Sequence, residues 1–228
     1  MTRAQFHTYF KIVMDKNSQS VAFGGCPAFL PEEIDYWLDT ALYQVVMQKF
    51  NGEINKKPSF EESIKRIHDL EGLVRTDSDI TTEKVNNTNS VVMKNLLDNN
   101  KRMLFVSARL KYDDKLAIVR IIDHKDVERY RQTYNNLPWV EEPVGVIENN
   151  SLIIYYDPLS MTSEEGYKVD LTYLHYPTKI EDIPNGESII ELPEHVYHEV
   201  INRAALLALE DIESKRTQSK VALNQLAE

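Results

Sequence analysis

The chain has 228 residues, which is enough for one sizeable hydrophobic core or for a core with an appended lobe. Its 26 Lys and Arg residues against 36 Asp and Glu residues give a formal charge of -10, which argues against a surface adapted to grip phosphate backbones. The single cysteine, Cys26, excludes an intrachain disulfide, a four-thiolate zinc site and an iron–sulfur cluster held by one chain. No apolar run approaches the ~20 residues that span a bilayer, and the early charges argue against a signal peptide. We therefore expect a protein that stays in the reducing compartment where it is made.

The N-terminal part of the chain predicts two helices separated by a loop. Apolar residues at helical spacing, from Phe6 to Met14, predict a helix that ends near Asn17. The stretch SQSVAFGGCPAF predicts a loop, and it lacks the Gly-Lys-Ser/Thr ending that a phosphate-binding P-loop requires. Pro31 and the two glutamates after it then predict the start of a long helix in LPEEIDYWLDTALYQVVMQKF.

A third helix and a polar stretch follow. SFEESIKRIHDLEGLV offers Ser59 and Glu62 as a capping box, an apolar face from Phe60 to Leu70, and Gly72 as a stop. From Arg75 to Asn100 the composition turns polar, with DSDITTEKVNNTNS rich in residues that favour turns. This composition predicts a long surface loop.

The middle of the chain is typical of β structure. RMLFVSARLKY and KLAIVRII flank Asp113-Asp114 as the strands of a hairpin, and PVGVIENNSLIIYYD predicts a second hairpin that turns at Asn149-Asn150. GYKVDLTYLHYP alternates with a period of two, which is typical of a half-buried strand. A short helix capped by Asp123 interrupts them. We therefore predict about five strands between Met103 and Tyr176.

The last predicted helix begins at Pro193, in ELPEHVYHEVINRAALLAL. Its residues 204–209, AALLAL, are apolar all round, so they must be covered either by the other helices or by a neighbouring subunit. The polar tail beyond it has few apolar anchors, which predicts a segment that orders against a partner. The candidate interface residues are Leu206, Leu209, Val221, Leu223 and Leu226.

Together these elements predict an α+β fold. Residues 1–100 and 185–228 are expected to form a helical core with a C-terminal tail, and residues 101–184 an inserted, antiparallel β lobe.

Residue types that bind metals or act in catalysis in other proteins form one candidate site in this sequence. His195 and His198, three apart on a helix with Glu194 or Glu199 beside them, could face one metal ion. Zincins place two histidines four apart with the base between them, and here a third ligand would have to come from a distant element. A metal-dependent hydrolase is therefore an alternative. The tyrosines of the β region could stack on bases, but no basic stripe accompanies them, so an accessory nucleic-acid-binding protein is a further alternative.

Three stretches carry a resemblance to a known family. They are AFLPEEIDYWLDTALYQVVMQKF near the start, ENNSLIIYYD with KVDLTYLHYPTKI in the middle, and ELPEHVYHEVINRAALLALEDIESKRTQSKVALNQ at the end. In this order they resemble the head-to-tail connector proteins, also called adaptor, ring or neck proteins, of tailed bacteriophages, in particular the podovirus-type crAss-like phages. The polar stretch from Asp77 to Asn100 and the large β region depart from the smaller adaptors.

The resemblance implies a structural virion protein with no catalytic residue, metal or cofactor. It implies a homo-oligomeric ring, expected to be twelve-fold, that binds the portal and neighbouring neck or tail proteins and extends the DNA channel without specific DNA binding. It also implies assembly in the cytoplasm of the bacterial host, a place in the virion neck and no contact with a membrane. An acidic lumen that repels passing DNA agrees with the net charge of the chain.

Overall fold

The structure is a computed structural model that describes residues 1–17, 29–52, 64–85, 90–97, 101–112, 115–132, 138–139, 141–156, 167–184 and 186–211. The α+β fold predicted from the sequence is confirmed. The chain divides into two compact units: a helical unit, Met1–Leu73 with Pro177–Glu228, and a β unit, Val74–Tyr176.

The described elements are three helices, then nine strands interrupted by a short helix, and a last helix. The helices are α1 (Arg3–Asn17), α2 (Pro31–Asn51), α3 (Ile64–Leu70), α4 (Val127–Gln132) and α5 (Glu194–Asp211). The strands are β1 (Val74–Thr81), β2 (Glu83–Lys84), β3 (Ser90–Met93), β4 (Arg102–Tyr112), β5 (Lys115–Ile118), β6 (Arg120–Ile121), β7 (Val144–Glu148), β8 (Ser151–Tyr155) and β9 (Lys168–His175). Short 3-10 turns occupy Glu71–Leu73, His124–Asp126 and Ile180–Asp182.

The helical unit is built from both ends of the chain. α1 and α2 pack against α5, and they bury apolar side chains at helical spacing, as with Phe6 and Phe10 on α1. The Phe6 ring meets Tyr197 edge-on with centroids 5.3 Å apart, and Phe10 stacks on Trp37. Each fully buried side chain of this size contributes about 1.5–3 kcal/mol relative to exposure, so this core holds the termini together.

α2 and α5 both begin at the proline of a Leu-Pro-Glu sequence, but the proline is the first residue of α2 and directly precedes α5. Pro31 is the first residue of α2, and the carboxylate of Glu33 accepts a hydrogen bond of 2.8 Å from the Leu30 N–H. At α5 the carbonyl of Pro193 accepts the N–H groups of Val196 and Tyr197. Proline therefore marks a helix start at both places.

The β unit consists of two sheets, with strand orders β1-β9-β4-β5 and β2-β3-β8-β7-β6. Every pairing is antiparallel except that of β6 with β7. The chain crosses directly from one sheet to the other at two places. One crossing is at Thr82, between β1 and β2, and the other is at Val119, between β5 and β6. The sheets therefore enclose one core, with Leu110 and Val169 from the first sheet and Leu152 and Ile154 from the second.

The second predicted hairpin is confirmed, and the first is confirmed over β5 but not over residues 120–121 of KLAIVRII, which pair with β7 in the other sheet. β4 pairs with β5, and β7 pairs with β8 through a turn in which Asn149 and Asn150 have φ of 48° and 57°. Asparagine tolerates this left-handed backbone better than most residues, which is why the sequence marks the turn. Val169, Leu171 and Tyr173 of β9 point to the core, as the period of two predicts.

The predicted surface loop from Arg75 to Asn100 is wrong where the structure describes it. The segment forms β1, β2 and β3, so the β unit begins at Val74 and ends at Tyr176, whereas we predicted a lobe over residues 101–184. β1 faces solvent on most of its length, and its burial pattern repeats every three residues instead of two. Its composition is therefore that of a surface segment although the backbone is paired with β9.

No helix in the described part of the chain is both long and apolar enough to cross a membrane.

Candidate functional site

The two histidines of the candidate metal site have separate protein partners. His195 Nε2 lies 2.7 Å from Oδ1 of Asp69, at the end of α3, and Asp69 is almost fully buried. The other oxygen of this carboxylate accepts a hydrogen bond of 2.9 Å from Lys49 of α2, whose Nζ also lies 2.7 Å from Glu199 of α5. We call Lys49, Asp69, His195 and Glu199 the Asp69 cluster.

The Asp69 cluster stabilises the charged forms of Asp69 and Lys49. Burial alone would raise the pKa of Asp69, but the hydrogen bonds and charges of Lys49 and His195 outweigh it and hold the pKa below its ordinary value. Burial would also lower the pKa of Lys49, and its two carboxylate partners raise it instead. The cluster thus connects α2, α3 and α5 through ion pairs whose charges offset one another.

His198 lies one turn further along α5 and contacts a different helix. Its ring meets Tyr9 of α1 edge-on, with centroids 5.6 Å apart. In the part of the chain that the structure describes, no three His, Cys, Asp or Glu residues are grouped so that they could hold a metal ion. The positions of His195 and His198 support a helix-joining role for both.

A second buried carboxylate repeats this arrangement at α1. Asp35 of α2 accepts Arg3 at 2.5 Å and lies 2.7 Å from Nε2 of His7, and its side chain is only 4% exposed. Our sequence analysis missed both clusters. The available signal was an aspartate beside the apolar stripe of α2 and one beside Leu70, because a buried carboxylate needs a cationic partner.

The structure separates the predicted interface residues into two groups. Leu206 and Leu209 of α5 are 2% and 0% exposed within the single chain. The helical unit therefore covers both side chains within the single chain, which agrees with the first of the two covers considered for AALLAL, and their role as interface residues stays a prediction. Val221, Leu223 and Leu226 lie outside the described residues.

Large apolar side chains remain exposed on the helical unit. Ile64 of α3 and Ile190, which precedes α5, are 87% and 90% exposed, and Tyr36 of α2 is 68% exposed. The apolar face predicted for the third helix is therefore only partly buried: Leu70 is covered, whereas Ile64 faces solvent.

The β unit also exposes large apolar side chains. Leu116 and Ile118 of the edge strand β5 are 51% and 67% exposed, Ile121 of β6 is 39% exposed, and Trp139 is 81% exposed. The sequence predicted β5 as a strand, but which of its faces is covered depends on the second sheet, which the sequence did not reveal.

The tyrosines considered for base stacking have varied surroundings. Tyr156 and Tyr173 are buried, and the Tyr156 ring meets Tyr167 edge-on. Burial raises the pKa of the Tyr173 phenol, and the nearby carboxylate of Asp77 raises it further. These two rings belong to the interior of the β unit and offer no open stacking platform.

No protein-family model matches this chain, and no curated protein matches it.

Proposed function

We propose that this chain is a structural protein of the neck of a tailed bacteriophage. It forms a homo-oligomeric ring, expected to be twelve-fold, which joins the portal to the tail and continues the DNA channel. In this proposal the protein works through its surfaces, and it is placed in the virion neck after assembly in the host cytoplasm.

The observation that carries the proposal is the exposed apolar surface on both units. Ile190, Ile64, Trp139 and Ile118 are each at least 67% exposed. Single exposed apolar residues are common, but side chains of this size left open on both units are typical of a chain that completes its surface with partners. The resemblance to head-to-tail connectors indicates which partners these would be.

A second observation supports the proposal. His7, His195, Asp35 and Asp69 are committed to joining helices of the same chain, so they act on the stability of the helical unit. A rigid helical unit with a separate β unit suits a ring component, in which one surface must meet neighbouring subunits and another must meet the portal or tail.

The test is co-sedimentation of the full chain with assembled rings of the cognate portal. We expect the chain to travel with the portal at a fixed stoichiometry, and we expect Ile190→Asp combined with Ile64→Asp to reduce this association. The control is Lys125→Asp, which changes an exposed side chain of the β unit. A chain that remains monomeric and does not associate with the portal would contradict the proposal.

A further inference from the structure

Among the described residues, no strand pairs with the outer side of β5, so this edge of the β unit is open to pairing. β5 ends the sheet order β1-β9-β4-β5, and its register with β4 has no irregularity. The Val119 N–H donates to the carbonyl of Ala108, and hydrogen-bonding positions alternate along an antiparallel pair. The backbone N–H and C=O groups of Leu116 and Ile118 therefore point away from β4, along the free side of the strand.

The opposite edge of the same sheet is different. β1 carries a register shift between Asp77 and Ile80, and Asp79 within it has φ of 57°. Such irregular, charged edges resist pairing with other strands. The regular strand with exposed Leu116 and Ile118 is thus the receptive edge.

The helical unit offers a segment with matching backbone pairing, residues 186–191, which turns at Gly186 and pairs with the first residues of the chain at Ser188 and Ile189. Ile189 exchanges two backbone hydrogen bonds with Met1, and Ser188 forms a bridge with Thr2. By the same alternation, the backbone groups of Ser188 and Ile190 point away from the N-terminus of the chain. Each side thus presents two outward-facing residues that are two positions apart, and Ile190 and Ile118 are both well exposed.

The charges around the two segments are complementary. Residues 101–121, which contain β4, β5 and β6, have six Lys and Arg against two Asp. Residues 177–194 have five Asp and Glu against one Lys. Arg109 lies beside Ile118 in the register of β4 and β5, and Glu187 lies in the 186–191 segment; both are exposed. A basic strand edge therefore binds an acidic, apolar segment in preference to a second basic edge.

We infer that the β5 edge of one copy of this chain receives the 186–191 segment of a second copy as an added strand. The two surfaces differ, so the contact is head-to-tail and can repeat from copy to copy until it closes into a ring. The inference rests on the proposed function, because it names the contact between neighbouring subunits of the proposed ring. Its energy comes from strand hydrogen bonds, from contact of Ile190 with the Leu116 and Ile118 side chains, and from the opposite charges.

Disulfide trapping in the full chain tests this contact. On a Cys26→Ser background, Ile118→Cys is combined with Ile190→Cys, and both positions are exposed, so neither change disturbs a core. We expect mild oxidation to give a ladder of covalent multimers on a non-reducing gel. The control combines Ile118→Cys with Ile64→Cys, which is equally exposed but belongs to α3, and we expect it to stay monomeric on the gel.

A charge reversal sharpens the test. Arg109→Glu reverses a charge of the basic edge and should weaken self-association by about three- to tenfold. Sedimentation velocity measures this change. Self-association should also depend less on salt concentration in Arg109→Glu than in the parent protein.

The outcomes separate this inference from the proposed function. Rings that form with equal trapping in the test and control variants would overturn the inference and leave the proposed function standing. A chain that binds the portal but never self-associates would overturn it as well. If Arg109→Glu leaves self-association unchanged but abolishes binding to double-stranded DNA, the basic edge serves nucleic acid and the inference is also overturned.

Discussion

The helical unit and the β unit are stabilised by different means. The helical unit joins residues that are far apart in the chain through buried polar contacts, such as the 2.6 Å hydrogen bond from Trp37 Nε1 to Asp211 and the Asp69–His195 pair. In the β unit, the ion pair of Lys111 with Asp79 is exposed on the sheet surface, and the interior is a continuous apolar cluster. The stability of the helical unit should therefore respond to single charges and to pH, whereas that of the β unit should respond to packing.

The largest expected effect comes from adding a single methyl group at a glycine of the helical unit. A Cβ at Gly72 would lie 1.9 Å from the backbone oxygen of Glu191, and neither segment can move without disturbing the start of α5. Gly72→Ala should cost about 4 kcal/mol or more of the free energy of unfolding, measured by urea denaturation.

The matched change in the β unit is Gly145→Ala. There the added Cβ meets the side chains of Val119 at 2.7 Å and Leu152 at 3.1 Å, which can rotate. We expect a cost of about 1–3 kcal/mol. If Gly145→Ala costs more than Gly72→Ala, the close approach of the Gly72 backbone to Glu191 is not a constraint on the helical unit.

An effect somewhat smaller than that of Gly72→Ala is expected from breaking the Asp69 cluster. Lys49→Met removes the cation that offsets the burial of Asp69, and it should cost about 2–4 kcal/mol at neutral pH. The pKa of Asp69 is held below its ordinary 3.8, so its favourable contribution is present above that pH and is lost as pH falls through the lower folded value. The difference between Lys49→Met and the parent protein should therefore shrink in acid.

The control for Lys49→Met is Lys111→Met, which removes the exposed partner of Asp79 in the β unit. Exposed ion pairs contribute little, so we expect no measurable change in the urea midpoint. Equal losses in the two variants would contradict the contrast between buried and exposed charges.

The smallest effect concerns Asp39 of α2. Burial raises the pKa of Asp39 to about 6, although its carboxylate accepts the Ile180 N–H at 2.7 Å. A raised pKa means that the contribution of Asp39 to stability is full below 3.8 and is lost as pH rises through about 6. Asp39→Asn keeps the acceptor without the charge, so it should raise Tm by a few degrees at pH 8 and give no gain near pH 4. A constant gain at all pH values would contradict this account.

Much of the fold could be predicted from the sequence because the signals are local. Pro31 and Pro193 mark helix starts, and Asn149-Asn150 marks a hairpin, through the backbone preferences of those residues. β1 was missed because its exposed side chains leave no period-two pattern and its strand state comes from pairing with β9, almost a hundred residues away.

The candidate site was less predictable because its contacts also join residues that are far apart in the chain. EHVYHE suggested a metal pair from spacing alone, whereas the partner of His195 is Asp69, a residue 126 positions earlier in the chain. AALLAL predicted burial on all sides, and the structure buries these residues except Leu207, which is partly exposed, but a sequence pattern cannot tell whether the cover comes from the same chain. The exposed face of β5 likewise depends on where the second sheet lies.

A direct image of the neck of the proposed bacteriophage virion tests the central claim, that this chain is a neck protein, most directly. We predict a ring of identical copies between the portal and the tail, with the helical and β units of this chain fitted in each copy and the DNA channel through its centre. A neck map whose rings are fully accounted for by other chains, with no density for this one, would contradict the account.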